Sequence, residues 1–266
     1  MNLVRLLKNI PLRFNEERSD QIAQLHTEGW RRISLSPGAY ILCPDDALVL
    51  SMWRFHVFSR GGRAELLNFL ELSAGCSNLL DIGASAGIFS ALFANTRDGA
   101  SINSVEPDRR SLTLLSETRS LNSGTSTHWE IHPYVVSDRP GTQRFRTSGF
   151  GGEISLDDSD EEIICHGLES LCSTFPAAPD IIKLDIESFE FEVISGGLGW
   201  LAENRPRIFL ELHWAMLEQR SHSPLELLRQ LAKIGYRSTN GRDLHSSKSI
   251  PLDGSGVARI ALVPAE

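Results

Sequence analysis

The sequence of 266 residues has few cysteines and no long apolar run. The four cysteines, Cys43, Cys76, Cys165 and Cys172, form no C-x-x-C pair, so neither a zinc site nor a disulfide framework is indicated. Buried thiols in a reducing compartment are the preferred interpretation. No stretch approaches the roughly 18 consecutive apolar residues that indicate a membrane-spanning helix.

The sequence also lacks an excess of positive charge. It has 26 Lys and Arg against 34 Asp and Glu, and the formal net charge of -8 argues against general nucleic-acid binding. Arg5 and Lys8 interrupt the apolar positions of residues 1–13, so we expect no signal peptide and a cytoplasmic protein. A short amphipathic helix that touches a membrane surface is the alternative for this segment.

From residue 76 onward, short apolar runs alternate with patterns of helical spacing. This alternation predicts an α/β domain over residues 76–266, a doubly wound, mostly parallel seven-stranded sheet with an antiparallel C-terminal strand. The predicted strands are Leu79–Ile82, Ser101–Val105, Trp129–Val136, Ile181–Leu184, Ile208–Leu212, Tyr236–Thr239 and Val257–Val263. The predicted helices are Ala86–Asn95, Asp108–Leu121, Phe189–Ser195 and Pro224–Ile234.

Two segments are less regular. Residues 1–75 are predicted to form an N-terminal extension, with short strands at Ala39–Leu42 and Ala47–Leu50 and a helix at Arg63–Leu72. This extension covers an acceptor pocket or contributes to a homodimer contact, and the sequence leaves both open. Within residues 137–175, Gln143–Thr147 reads as a hairpin arm, and Ser148–Gly152 is either a lid over the site or an ordinary loop.

The segment Leu79–Ser90 reads LLDIGASAGIFS, a buried strand that passes through a glycine loop into a helix. Gly83 is suited to the tight turn, and Gly87 allows a ligand or strand to approach the backbone closely. The free amides after the loop bind a carboxylate or phosphate, and Asp81 is able to accept hydrogen bonds from an ammonium group. An acid beside anion-binding amides suits a zwitterion such as the amino-acid end of S-adenosylmethionine.

The second motif is Val105-Glu106-Pro107-Asp108, about 20 residues after the loop and at the end of the second strand. An acid in this place of a doubly wound fold accepts hydrogen bonds from ribose hydroxyls, although Glu106 as a simple helix cap is the alternative. The loop lacks the G-x-G-x-x-G spacing, which disfavours a nicotinamide or flavin oxidoreductase.

Two further apolar strands end in polar side chains. Lys183 and Asp185 lie two residues apart and therefore share one strand face, with Glu187 at the following turn. Because a buried lysine is costly unless it is paired, we expect Lys183 to contact an acid. Glu211 and His213 likewise share one face of a later strand, and ligands of such sheets bind at the carboxyl ends of the strands.

These motifs together, LLDIGASAG, VEPD, IIKLDIESFE and PRIFLELH, resemble the FkbM family of S-adenosylmethionine-dependent methyltransferases over roughly residues 78–215. The resemblance implies a class I, Rossmann-like methyltransferase fold and O-methylation of a hydroxyl on a small molecule, polyketide or sugar. The family usually has Asn at the position of Ser85 and Gly at that of Ser188, and often an Asp near Glu169.

The expected roles divide the candidate residues into two groups. The expected S-adenosylmethionine-binding residues are Asp81, Gly83, Ala84, Ser85, Gly87, Glu106 and Pro107. The expected catalytic residues are Lys183, Asp185, Glu187, Glu211 and His213, with His213 or Asp185 as the general base and with no metal ion. The expected partner is a small-molecule or glycan acceptor. A non-catalytic scaffold of the same fold and a nucleotide-dependent oxidoreductase are the competing hypotheses.

Overall fold

A computed structural model gives the structure of the protein and describes residues 23–26, 30–36, 39–46, 49, 53, 59–124, 126–148, 151–154 and 161–265. Within these ranges the strands are β1 Ala23–His26, β2 Trp30–Ser36, β3 Ala39–Pro44, β4 Asn78–Ile82, β5 Ser101–Val105, β6 His128–His132, β7 Val135–Ser137, β8 Gly141–Ser148, β9 Gly151–Ile154, β10 Glu161–Gly167, β11 Ile181–Leu184, β12 Arg207–His213, β13 Tyr236–Ser238 and β14 Val257–Pro264. The helices are α1 Arg60–Leu72, α2 Ile88–Ala94, α3 Arg109–Asn122, α4 Leu168–Cys172, α5 Glu190–Asn204, α6 Trp214–Gln219 and α7 Pro224–Lys233, and a 3-10 turn spans Ser247–Ser249.

The predicted seven-stranded sheet is confirmed, with the order β13-β14-β12-β11-β4-β5-β6. Five neighbouring strands of this sheet are parallel to one another: β12, β11, β4, β5 and β6. β14 pairs antiparallel with both β12 and β13. This is the Rossmann-like arrangement expected from the alternation of strands and helices. The carboxyl ends of β4, β5, β11 and β12 therefore meet at one edge.

The helices begin where the sequence supplies capping side chains. Asp108 accepts a hydrogen bond from the Ser111 amide at 2.8 Å and caps the start of α3, three residues after the end of β5. Ser223 caps α7, and Pro224 fills its first turn, where no amide partner is lost. The caps fix the points at which the chain turns from the sheet edge back into helix.

Two apolar clusters cover the two faces of the sheet. On one face the rings of Phe69, Phe89 and Phe209 meet, with centroids 5.1 Å apart for Phe69–Phe89 and 5.6 Å for Phe69–Phe209. Because Phe69 belongs to α1, this core is continuous across the predicted boundary at residue 75, and the division into extension and domain stays a prediction. On the other face Leu80 and Leu210 belong to a second cluster.

The β1–β2–β3 sheet is tied to the main sheet through α3. The Asn122 side chain accepts from the Leu42 amide at 2.9 Å and donates to the Leu42 carbonyl at 2.7 Å. The Asn122 amide group thus forms with the backbone of Leu42 the same pair of hydrogen bonds that a neighbouring strand forms. The predicted strand Ala39–Leu42 is confirmed within β3, whereas residues 47, 48 and 50 of the predicted strand Ala47–Leu50 lie outside the described residues.

The predicted single strand Trp129–Val136 is wrong. β6 ends at His132, since Pro133 has no amide hydrogen to continue the ladder, and the Tyr134 amide turns back to the His132 carbonyl at 3.0 Å. The chain then enters β7, which belongs to a separate four-stranded sheet of order β7-β10-β8-β9. The predicted hairpin arm lies in β8 of this sheet.

Some predicted features fall where the chain is not described. Residues 1–13 and, within the predicted lid, residues 149 and 150 lie outside the described residues. Among the helices of the described ranges, none combines the length and the apolar character needed to cross a bilayer.

Candidate active site

The glycine loop of residues 83–87 lies at the carboxyl end of β4, against the neighbouring ends of β5 and β11. The amides of Gly83 and Ala84 donate to the Val105 carbonyl at 3.0 and 3.1 Å. Gly83 has φ +77°, and a Cβ atom added to it lies 1.7 Å from the Asp185 carbonyl oxygen. Gly83 is therefore required because the backbone of the next strand end occupies the space of a side chain.

Gly87 has a different packing role. It adopts φ +86° immediately before α2, and a Cβ there lies 2.6 Å from Leu115 Cδ1 of α3. The close approach that the sequence suggested at Gly87 is thus made by a packed helix. Both glycines hold the loop in shape, and the Gly87 amide closes it by donating to the Ala84 carbonyl at 2.8 Å.

Glu106 holds the loop and the following helix together. Its two carboxylate oxygens accept from the Ser85 amide and from the Asp108 amide, each at 2.8 Å. Burial raises the pKa of Glu106 to about 7, against the lowering effect of these two hydrogen bonds. Each oxygen keeps one further lone pair, which fits acceptance from a pair of ligand hydroxyls. Pro107 follows at the end of the strand, as expected.

Asp81 lies in the interior beneath the loop. Its Oδ2 accepts from Ser90 Oγ at 2.6 Å, whereas Oδ1 is buried without a hydrogen bond and lies 3.8 Å from Lys183 Nζ. Burial raises the pKa of Asp81, and the Lys183 charge opposes this. Because Oδ1 has no hydrogen-bond donor, it is able to accept a hydrogen bond from a ligand ammonium group or from a water molecule bound to that group. Direct contact with that group stays a prediction.

Lys183 links the loop to the acidic side of the site. Its Nζ donates to the Gly83 carbonyl at 2.9 Å and to Asp185 Oδ2 at 3.0 Å, so the expected pairing with an acid is confirmed. Burial alone lowers the pKa of Lys183, but the charges of Asp185 and Asp81 raise it above its ordinary value. Lys183 is therefore a fixed cation and serves to position Asp185.

A buried glutamate that the sequence analysis did not assign, Glu190, orients His213. Glu190 Oε1 accepts from the amides of Ile186 and Ser188 at 3.3 and 3.2 Å and lies 2.9 Å from His213 Nδ1. A carboxylate at Nδ1 leaves Nε2 as the nitrogen that faces the site. Glu190 was quoted within the motif, and its spacing of three residues from Glu187 was the only sequence signal for it.

The other imidazole nitrogen of His213 faces the sheet edge. Nε2 lies 3.2 Å from Glu187 Oε2 and 3.8 Å from Asp185 Oδ1. Burial lowers the pKa of His213, but the hydrogen bond with Glu190 and the charges of Asp185, Glu190 and Glu187 outweigh it and raise the pKa to about 9. His213 therefore holds a proton at neutral pH while these carboxylates surround it.

Glu211 is engaged by an arginine that the sequence analysis missed. Arg259 Nη2 lies 2.6 Å from Glu211 Oε1, and the same guanidinium contacts Glu65 at 3.0 Å and Asp253 at 2.5 Å. Burial and the charges of Asp185 and Glu65 raise the pKa of Glu211, whereas the charge of Arg259 lowers it. Glu211 is thus part of a shared ion-pair network beside the site.

The two departures from the family pattern lie at strained backbone positions. Ser85 has φ +49° and Ser188 has φ +84°, the left-handed region that Asn and Gly tolerate best. Glu187 precedes Ser188 with φ +52°. Arg220 braces this turn, since it donates to the Ser188 carbonyl and lies over the Phe189 ring at 3.6 Å.

Replacement of Ser188 by glycine is expected to stabilise the fold. The Ser188 amide donates to Glu190 and the Ser188 carbonyl accepts from Arg220, so Ser188→Gly keeps both hydrogen bonds while relieving the left-handed strain. We expect the free energy of unfolding in urea to rise by about 0.5–1 kcal/mol. Ser120→Gly on the exposed face of α3 is the control and is expected to lower it by about the same amount. A Ser188→Gly variant less stable than the parent contradicts this account of the turn.

Asp185, Glu211 and His213 also offer ligand atoms within 4.8 Å of one another, the geometry of a cation site. Each of them has another partner: Lys183 for Asp185, Arg259 for Glu211, and a retained proton for His213. These positive charges at the site favour proton chemistry over metal ligation.

The structure therefore brings the predicted residues into two adjoining groups. Gly83, Ala84, Ser85 and Glu106 form the loop side, and Asp81 lies buried beneath it. The residues of the acidic side are Lys183, Asp185, Glu187, Glu211 and His213, with Glu190 and Arg259 as additions.

Comparison with known proteins identifies the family. The family model of the methyltransferase FkbM domain matches residues 81–238, which include every predicted site residue. The chain belongs to the FkbM methyltransferase family. This membership confirms the prediction of an S-adenosylmethionine-dependent methyltransferase, and it gives no support to the oxidoreductase alternative.

Solved structures and curated proteins add less. The crystal structure of methyltransferase FkbM from Methylobacillus flagellatus KT matches with 18% identity and a TM-score of 0.45, over 70% of this FkbM chain and 42% of that chain. M. jannaschii TYW2 in complex with AdoMet matches with 14% identity and a TM-score of 0.41, over 91% of this chain and 87% of that one. None of the curated proteins matches the chain.

Proposed function

We propose that this FkbM methyltransferase transfers a methyl group to a hydroxyl oxygen of a small molecule or sugar. The observation that carries the proposal is the Glu190–His213 pair, whose second imidazole nitrogen, Nε2, faces Asp185 and Glu187 beside the glycine loop. An alcohol is a weak nucleophile with a high pKa, and its methylation benefits from a positioned base. A His–carboxylate pair at the sheet edge supplies one.

In this proposal the loop side holds S-adenosylmethionine. The start of α2, directly after the glycine loop, binds the methionine carboxylate, since the loop amides of Gly83, Ala84, Ser85 and Gly87 already have partners within the fold. Asp81 assists at the ammonium group, and Glu106 accepts from the ribose hydroxyls. Ala84, Ser85 and Pro107 complete the proposed surface that contacts S-adenosylmethionine. When bound, the cofactor supplies a methyl group already activated by a positive sulfur. The protein therefore has to align an oxygen with that methyl and exclude water.

His213 is the proposed base. Glu190 fixes its Nδ1, so Nε2 accepts the hydroxyl proton once the acceptor takes the place of Glu187. The Glu187 side chain is 57% exposed, whereas that of His213 is 7% exposed, so Glu187 is the partner free to move aside. Its departure removes one of the charges that hold the proton on His213 and lowers the imidazole pKa toward neutrality.

The acceptor is proposed to be neutral or cationic and to carry more than one hydroxyl. Asp185 and Glu187 place carboxylates around Nε2, and an anionic acceptor meets repulsion there. Carboxylate oxygens accept hydrogen bonds from neighbouring hydroxyls, as a sugar or polyol offers. Asp185, held by Lys183, is the second candidate base and is positioned to bind such a neighbouring hydroxyl.

The pH dependence of methyl transfer tests the proton on His213. We expect kcat/KM for a sugar acceptor to rise about tenfold per pH unit and to level near pH 9, where His213 loses its proton. Glu187→Gln removes a charge that raises this pKa, so the levelling is expected to move to lower pH. Glu203→Gln, an exposed change at the end of α5, is the control and leaves it near 9. A flat profile from pH 6 to 10 contradicts the role of His213.

A turnover screen tests the function itself. Purified protein is incubated with S-adenosylmethionine and a panel of sugars, polyols and phenols, and release of S-adenosylhomocysteine is measured. Turnover with a hydroxylated acceptor, lost in His213→Ala, is the expected result. Binding of S-adenosylhomocysteine without turnover on any hydroxyl, amine or thiol acceptor supports the scaffold alternative instead.

A further inference from the structure

A large polar groove lies away from the proposed methyl-transfer site. Its volume is about 870 Å³, within the range of about 300–1,000 Å³ typical of small-molecule sites. Its walls include Cys76, Asp180 and Arg207, which lie at the amino ends of β4, β11 and β12. The methyl-transfer site uses the carboxyl ends of these strands, so the mechanism does not account for the groove.

The groove is rich in arginine although the chain is acidic. Five arginines line it against two acids, Glu71 and Asp180, whereas the whole chain has a formal net charge of -8. Asp180 is already committed, because it accepts from the Ser77 and Asn78 amides at 2.7 and 2.9 Å. Arginines therefore outnumber acids among the residues that line the groove. The five arginines are Arg205, Arg207, Arg237, Arg242 and Arg259.

Four of these arginines have no carboxylate within ion-pair distance in the part of the chain that the structure describes. Arg207 donates to the Leu72 and Ala74 carbonyls, both at 2.7 Å, and Arg242 donates to the Arg259 carbonyl at 3.1 Å. These bonds hold the guanidinium groups in place without neutralising them. Arg205 donates to the Ala265 carbonyl, and the Arg237 side chain makes no hydrogen bond or ion pair with the described residues.

Partial burial of an unneutralised arginine also favours the binding of an anion. Burial lowers the pKa of Arg242, because its charged form loses contact with solvent. Arg259, the fifth arginine, differs because Glu65, Glu211 and Asp253 already neutralise it. Four unneutralised guanidinium groups around one groove, three of them held by backbone carbonyls, are suited to bidentate recognition of phosphate oxygens.

We propose that this groove binds the phosphate groups of a soluble ligand, with pyrophosphate as the shared chemistry of a free anion or a nucleoside diphosphate. The floor supplies apolar surface beside the arginines, since Phe209, Ala261 and Val263 line it as well. A volume of this size accommodates more than one phosphate group together with an organic portion. The ligand is separate from the methyl acceptor, because the groove lies at the amino ends of the parallel strands and the methyl-transfer site lies at their carboxyl ends. The two sites adjoin at Arg259, which lines the groove and contacts Glu211.

Calorimetric titration with inorganic pyrophosphate and with UDP, at fixed salt concentration, tests the proposal. Arg237→Ala is the main variant, because Arg237 lies exposed on β13 and the change removes no side-chain hydrogen bond or ion pair among the described residues. Arg242→Ala is the second. Arg229→Ala is the matched control, since Arg229 lies on α7 outside the groove and faces Glu226 at 3.7 Å. Titration with S-adenosylhomocysteine on every variant reports an intact fold and an intact methyl-transfer site.

We expect saturable binding to the parent chain and to Arg229→Ala, and at least tenfold weaker binding to Arg237→Ala and Arg242→Ala. Equal affinity for pyrophosphate and UDP shows that the arginines alone account for the binding. Tighter binding of UDP shows that the apolar floor also contacts the organic part of the ligand. Either outcome supports the proposal. Absence of saturable binding at millimolar concentrations, or the same affinity in all four proteins, overturns it while leaving S-adenosylhomocysteine binding untouched.

Discussion

Replacement of His213 by alanine is expected to reduce kcat about 10³-fold, the scale of a lost general base. The affinity for S-adenosylhomocysteine is expected to stay unchanged, because His213 lies on the acidic side and contacts Glu190 and Glu187 rather than the glycine loop. Turnover measured by release of S-adenosylhomocysteine and binding measured by calorimetry separate the two effects.

The control for this change is His245→Ala, which is expected to leave kcat unchanged. His245 is exposed and lies in the segment between β13 and β14. Glu190→Gln provides a further comparison, since it keeps the size of the side chain but removes the charge at Nδ1. A His213→Ala variant that retains more than a tenth of the activity shows that another group takes the proton. Loss of S-adenosylhomocysteine binding in that variant shows that the division of the site into two sides is wrong.

Replacement of Gly83 by alanine is expected to destabilise the fold by about 3 kcal/mol or more, and it is the largest stability effect that we expect. Two costs combine there: a left-handed backbone with φ +77°, and a Cβ placed 1.7 Å from the Asp185 carbonyl oxygen. The carbonyl belongs to the backbone of a buried strand end and has no side-chain rotamer with which to move away. Urea unfolding measures the change.

Gly75→Ala isolates the backbone term of this prediction. Gly75 has φ +80° but nothing within 4 Å of an added Cβ, so only about 1 kcal/mol of strain is expected. The difference between the two variants is therefore the overlap with Asp185. Equal destabilisation by both substitutions contradicts the account of Gly83 as a position fixed by the neighbouring strand.

The sequence predicts the main sheet well because its strands are apolar runs with sharp ends. β4 and β11 were located from such runs, and the strand–helix alternation predicted that the sheet is mostly parallel. The second sheet was missed because β10 begins with Glu161 and Glu162, a polar start that is typical of a solvated loop. The break between β6 and β7 follows from Pro133, whose missing amide ends the ladder.

The site residues that sequence reasoning missed depend on contacts between distant segments. Glu190 reaches His213 across 23 residues only because α5 begins beside the end of β12. Arg259 lies directly opposite Glu211 in the antiparallel pairing of β12 and β14, a register that composition and periodicity do not specify. By contrast, the pairing of Lys183 was predictable, since a lysine within an apolar strand needs an acid close by.

Calorimetric titration with S-adenosylhomocysteine, on the parent chain and on Glu106→Ala, tests most directly whether the loop side holds the cofactor. The account predicts saturable binding to the parent, at least tenfold weaker binding to the variant, and no binding of NAD to either. Glu130→Ala, on the outer strand β6, is the control and is expected to bind as the parent does. No saturable binding at millimolar S-adenosylhomocysteine, or equal affinity in the parent and Glu106→Ala, contradicts the account.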